Sequence, residues 1–157
     1  MTDLKFQIEQ IALCPRDPEA AKKLLTDMGG AEWAEDIVVA SGEVFSEKGS
    51  NTADLSFDYN MLENARELEI LHYRSGPNWM DGRVDRVSHL GMHCTAGELN
   101  RWREFFMRRD IRVAQEVKTE SHCNPVIAGK RWFHYVIFDT YDILGVDVKF
   151  IVRRDYR

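Results

Sequence analysis

The chain has 157 residues, 44% of them hydrophobic and 30% charged, with a formal net charge of −5. A chain of this size buries roughly two-thirds of the surface its unfolded form exposes, and its composition excludes a disordered, fibrous or membrane-embedded protein. The negative balance repels phosphate backbones and argues against general nucleic-acid binding.

The opening stretch MTDLKFQIEQIALC is charged early and has no long apolar run, so no secretory signal is expected. No segment approaches the roughly 20 apolar residues that cross a bilayer, so no membrane association is expected either. Cys14, Cys94 and Cys123 are odd in number and lack CxxC spacing, which fits a reducing cytoplasm.

In chain order, residues 4 to 14 read as a strand closed by Pro15. Asp17 and Pro18 then suit a helix N-cap and first position, and Ala20, Ala21, Leu24, Leu25 and Met28 form an apolar stripe that Gly29 and Gly30 end. Strand patterns follow over residues 36 to 45, 53 to 59 and 66 to 74, before Gly76 and Pro77 break the chain. The order then begins again. Residues 86 to 94 read as a strand, and 96 to 109 as a helix with Leu99, Trp102, Phe105 and Phe106 on one face. Strands are expected over 111 to 119, 131 to 139 and 146 to 152. Arg153, Arg154 and Arg157 read as a solvated basic end interrupted by Asp155.

The pattern βαβββ thus occurs twice, in residues 1–76 and 85–157, within one domain spanning 1–157. Gln10 falls on His89 at an offset of 79, and Glu69 on Lys149 at an offset of 80. The near-equal offsets put the four residues at matching strand positions.

The stretches EQIALCPRDPEAAKKLL, LEILHY, SHLGMHC and ILGVDVKFI, with this repeat order, resemble the vicinal oxygen chelate superfamily, which includes glyoxalase I, bleomycin-resistance proteins and extradiol dioxygenases. The resemblance implies an α+β fold in which two βαβββ repeats form a cup-shaped, partly open mixed sheet with the helices outside. It also implies that Gln10, Glu69, His89 and Lys149 face one centre. Strand alternation then puts Ala12, Cys14, Gly91, His93, Glu67, Leu71, Asp147 and Ile151 on the inner face. Ile11, Leu13, Leu90, Met92, Leu68, Ile70, Val148 and Phe150 are left to face outward under the helices.

One glyoxalase I branch carries a Gln, Glu, His, Glu metal set, and Gln10, Glu69 and His89 match its first three members. Such a set suits Zn, Ni, Mn or Fe. Lys149 departs from the fourth, which counts against glyoxalase I and extradiol dioxygenase chemistry, because a protonated amine has no lone pair to give. Two arrangements are open. Lys149 pairs with Glu69, Glu67 or Asp147 in place of a metal, which is the arrangement the charges favour. Alternatively, Gln10, Glu69 and His89 hold a metal with His93 or water completing the shell.

The expected function is binding of a small organic molecule in the cup, with lyase or isomerase chemistry on a small carbonyl compound. Glu69 or His93 is the expected base, and Lys149 or a metal the stabiliser of negative charge. The alternative is a non-catalytic, metal-free binder of a drug or metabolite, with Glu67 and Asp147 at the ligand. A third reading is a structural or regulatory partner. His134 is expected either to line the cup with Val136 and Phe138, contributing to ligand binding, or to face away with Trp132 inside. His72 is expected to face outward, and Phe57, Tyr59, Phe133 and Tyr135 to be core aromatics. His122, Cys123 and Asn124 fall in a loop before Pro125. The resemblance also implies a homodimer.

Overall fold

The structure is a computed structural model, and residues 4–44, 47–64, 66–75, 86–120 and 128–155 are described. Gly76 and Pro77, where the chain was expected to break, and His122, Cys123, Asn124 and Arg157 lie outside them. The first repeat contributes β1 (Gln10–Cys14), α1 (Pro18–Asp27), β2 (Ala34–Val44), β3 (Glu47–Asp58) and β4 (Glu67–Ser75). The second contributes β5 (Arg86–His93), α2 (Ala96–Met107), β6 (Val113–Glu120), β7 (Arg131–Phe138), α3 (Tyr141–Leu144) and β8 (Asp147–Asp155).

The strands form one ring in the order β1-β4-β3-β2-β6-β7-β8-β5. Within each repeat the first and last strands run parallel, as β1 with β4 and β5 with β8. The repeats meet through antiparallel ladders between β1 and β5 and between β2 and β6. The second junction is short, pairing Gly42, Glu43 and Val44 with Val117, Glu116 and Gln115, and it closes by backbone bonding a sheet expected to stay partly open.

Local chemistry sets the helix ends. The Asp17 carboxylate accepts from the Ala20 amide at 2.9 Å, and Thr95 and Glu98 form a reciprocal capping box on α2. The strand expected from residue 4 begins at Gln10, because Leu4 and Phe6 leave the sheet to pack on its outer face. There Phe6 meets the Phe150 ring edge-on at 5.8 Å. The α3 turn, which sequence patterning did not suggest, spans four residues and ends at Gly145, whose φ of 72° is one that glycine adopts without strain.

The two helices are held differently. Leu99, Trp102 and Phe106 of α2 pack against Val136, Phe138, Val148 and Phe150, with Trp102 stacked on Phe150 at 4.9 Å and Phe106 on Phe138 at 4.3 Å. The expected α1 stripe does not form a core: α1 buries no residue, and Leu24 and Met28 are 61% and 67% exposed. The reason lies beneath the helix, where the sheet presents Glu35, Asp54, Ser56 and His72 alongside Ile70. This polar surface engages the helix's charged residues, and Lys22 pairs with Glu35 at 3.1 Å. Inside the ring, Ala12, Cys14, Ala53, Leu55 and Leu71 form a small apolar cluster. No described helix is long and apolar enough to cross a membrane.

Candidate functional site

The four residues aligned by the repeat do converge. Gln10, Glu69, His89 and Lys149 come from β1, β4, β5 and β8, and each is at most 6% exposed. His89 Nε2 lies 3.0 Å from Gln10 Oε1 and 3.3 Å from Glu69 Oε2. Lys149 Nζ lies 3.3 Å from the same His89 nitrogen, 3.5 Å from Glu69 Oε2 and 4.6 Å from the centre of the Tyr135 ring. Gln10 Nε2 donates to Glu67 Oε1, whose other carboxylate oxygen accepts from the Tyr59 hydroxyl at 2.8 Å.

That chain of bonds assigns the His89 proton. Because the Gln10 amide nitrogen is committed to Glu67, its oxygen faces His89, and with Glu69 Oε2 at 3.3 Å Nε2 meets two acceptors against the one ammonium of Lys149, so Nε2 carries the hydrogen and Lys149 acts on it by charge and not as a donor. Nδ1, which has no hydrogen-bond partner among the described residues, is then a bare acceptor, cheaper to bury than an unmatched N–H.

Gly91, opposite Gln10 on β5, makes this arrangement possible: a Cβ there would lie 2.8 Å from Gln10 Oε1.

Three of the four, Gln10, Glu69 and Lys149, line a cavity of about 400 Å³, whereas His89 is not among its lining residues. Phe57, Tyr59, Phe133 and Tyr135 wall it, and Glu67 faces into it beside Glu69. Its other charged lining residues are Glu9, Asp36, Glu120, Arg131 and Arg153. Burial raises Glu67 above the ordinary carboxylate range and the Glu69 charge raises it further, outweighing the bonds from Gln10 and Tyr59. Burial would raise Glu69 as well, but the Lys149 charge, aided by His89, holds it below that range. For His89, burial and then the Lys149 charge push the imidazole down to about 4, so it is neutral at pH 7.

The other expected site residues are spread out. His93 is exposed at the cavity rim, where Glu9 Oε2 accepts from its backbone N–H at 2.7 Å and lies 3.0 Å from its Nδ1. Asp147 is buried but is not among the cavity-lining residues.

His134 corrects the expectation of a cup-lining residue: its Nε2 meets Glu116 Oε1 at 2.6 Å, and the same oxygen accepts from Arg103 of α2 at 2.5 Å. Trp132, His134, Val136 and Phe138 share the outer face by strand alternation, and Phe133, Tyr135 and Ile137 the inner one. Both sets are largely apolar, so the pattern of β7 did not choose between them. Sequence reasoning also missed Tyr59 as the hydrogen-bond donor to Glu67 and Tyr135 as the ring beside Lys149. The signal for Tyr135 was one position away, since β7 pairs Ile137 with Lys149 and so puts 133, 135 and 137 on the side of Lys149.

As it stands the quartet does not suit a divalent ion. Among the described residues no cluster of three His, Cys, Asp or Glu side chains could hold a metal. Lys149 instead brings a positive charge to the three donors and has no lone pair to give while protonated.

The curled ring of two βαβββ repeats gives the chain a glyoxalase-like fold. Among solved structures it is similar to a variant of Streptomyces coelicolor methylmalonyl-CoA epimerase in complex with 2-nitronate-propionyl-CoA, at 14% identity and a TM-score of 0.55, covering 93% of each chain. It is also similar to methylmalonyl-CoA epimerase from Mycobacterium tuberculosis, at 11% identity and a TM-score of 0.51, covering 97% of this chain and 91% of that one. No family model and no curated protein matches the sequence. At such identities the likeness establishes the fold.

Proposed function

We propose that the chain binds a small carbonyl compound in the cup and moves a proton on the carbon next to the carbonyl, an isomerase-type reaction. The observation that carries this reading is the pair of carboxylates on β4: Glu67 and Glu69 face one cavity, yet their environments push them in opposite directions. Glu67, raised and at the cavity, is the base that takes the proton and returns it. Glu69 serves as counter-ion to Lys149, and so yields the role of base expected of it. As the proton leaves, negative charge moves onto the carbonyl oxygen, and the Lys149 ammonium stabilises it. Gln10 and Tyr59 hold the Glu67 carboxylate in place, and His93 orients the ligand at the rim. The epimerase fold of the structural neighbours is compatible with this chemistry.

The test is deuterium uptake in D2O, followed by NMR, at the carbon next to the carbonyl in short acyl thioesters and 2-keto acids. Wild type should exchange that position, and Glu67→Gln should slow exchange by about 10²-fold or more. Absence of exchange in any compound that binds would overturn the reading.

A second reading, a metal-free and non-catalytic binder, draws support from the lining itself. Five carboxylates, Glu9, Asp36, Glu67, Glu69 and Glu120, outnumber Lys149, Arg131 and Arg153, and the aromatic walls suit an organic cation. Saturable stabilisation by cationic compounds without exchange would favour it. A reducing cytoplasm fits Cys14 and Cys94, which form no disulfide. Exposed Leu24, Met28, Ile143 and Leu144 offer apolar surface to a second copy, and sedimentation would test the homodimer.

A further inference from the structure

We infer that Lys149 is a tethered cation standing in the place of a divalent metal, so that the cup meets ligand oxygens by charge and hydrogen bonding and not by chelation. This rests on the reading of the cup as a small-molecule site.

The spacing of the donors is the first observation. Gln10 Oε1 and Glu69 Oε2 lie 3.0 and 3.3 Å from His89 Nε2. Metal bonds of about 2.0–2.2 Å in a tetrahedral shell put neighbouring ligands about 3.3–3.6 Å apart, so each of these two oxygens already lies as close to the nitrogen as a metal would draw it, or closer. Second, Lys149 Nζ completes the group, at 3.3 Å from His89 Nε2 and 3.5 Å from Glu69 Oε2. A lone carboxylate buried as deeply as Glu69 needs a cation, and the lysine supplies one from within the chain. Third, the support around the donors is in place without a metal: Gly91 leaves the room that Gln10 fills, and Glu67 holds the Gln10 amide. The departure from a four-donor set is thus confined to one side chain.

Two consequences follow for ligands. An ammonium offers N–H donors but no coordination positions, so a hydroxamate or a vicinal diol gains no chelate advantage over a simple carbonyl or carboxylate. Replacing the ammonium by an oxygen donor should turn the quartet into a metal site.

The experiment dialyses wild type, Lys149→Glu and Lys149→Gln against Zn2+ or Ni2+ alone, then counts metal by plasma mass spectrometry. Wild type should retain less than about 0.1 equivalent and Lys149→Glu about one, lost again when Glu69→Gln is added. Acetohydroxamate should raise the melting temperature of zinc-loaded Lys149→Glu and leave that of wild type unchanged. If Lys149→Glu folds poorly because carboxylates crowd the floor, rescue of folding by zinc supports the inference, and Lys149→Gln, which adds an amide oxygen without charge, should take up zinc more weakly. Stoichiometric metal in wild type, no uptake by either folded variant, or variants that zinc does not rescue would each overturn it. Metal uptake is read without substrate, so this test and the deuterium test fail independently.

Discussion

Gly91 and His89 carry the sharpest consequences at the scale of single residues. A methyl group at Gly91 would meet Gln10 Oε1 at 2.8 Å, so Gly91→Ala should swing the amide away from both His89 and Glu67. Crowding of this kind costs about 1–3 kcal/mol, to be read as a lower urea midpoint, and slower deuterium exchange should accompany it. His89 predicts how stability depends on pH. Its folded pKa of about 4 lies below the ordinary value of 6.5, so between these two values the unfolded chain binds a proton that the native one does not. Stability should therefore fall as pH drops from about 6.5 to about 4, by roughly 3 kcal/mol from this group. Glu69, held low, adds to the loss as pH falls through the carboxylate range, whereas Glu67, held high, opposes it above its ordinary value. Urea titrations of wild type and His89→Gln across that window check the sign, because the slope should flatten in the variant.

The repeats are alike in order and unlike in how their helices are anchored. On α2, Phe106 stacks on Phe138 within an aromatic cluster, and Phe106→Ala should cost about 3–5 kcal/mol. Leu24 on α1 occupies a comparable place in the sequence pattern but is 61% exposed, and Leu24→Ala should stay within about 0.5 kcal/mol of wild type. Thermal melts of the two variants distinguish these outcomes. An apolar stripe at helical spacing shows that one helix face is suited to burial, yet burial also requires an apolar partner. The second repeat supplies Phe138, Val148 and Phe150. The first supplies Glu35, Asp54 and Ser56, and no reading of α1 by itself could show that.

At the scale of the whole molecule, closure of the ring depends on both halves. Each repeat alone would leave two strand edges unpaired, β1 and β2 in one and β5 and β6 in the other. Exposed edges seek partners. The second half, residues 86–157, expressed by itself should therefore self-associate, pairing its β5 and β6 edges with those of another copy. Gel filtration would show a dimer or larger species, and a stable monomer would contradict the edge argument.

The amino-acid sequence by itself determined the repeat, the order of the eight strands and the two longer helices, the cap at Asp17, and the inward register of Gln10, Glu69, His89 and Lys149. These are local or periodic properties: a strand's two faces alternate, and β1, β4, β5 and β8 each carry apolar residues on one face and a polar residue on the other. The tertiary structure decided what depends on residues far apart in the chain. It set the face of β7 that looks inward, the burial that separates Glu67 from Glu69, the bond from Tyr59 to Glu67, and the fit of Gln10 over Gly91. Spacing along one strand can say that two side chains share a face, whereas the field and the space around them come from other strands, which only folding brings within a few ångströms.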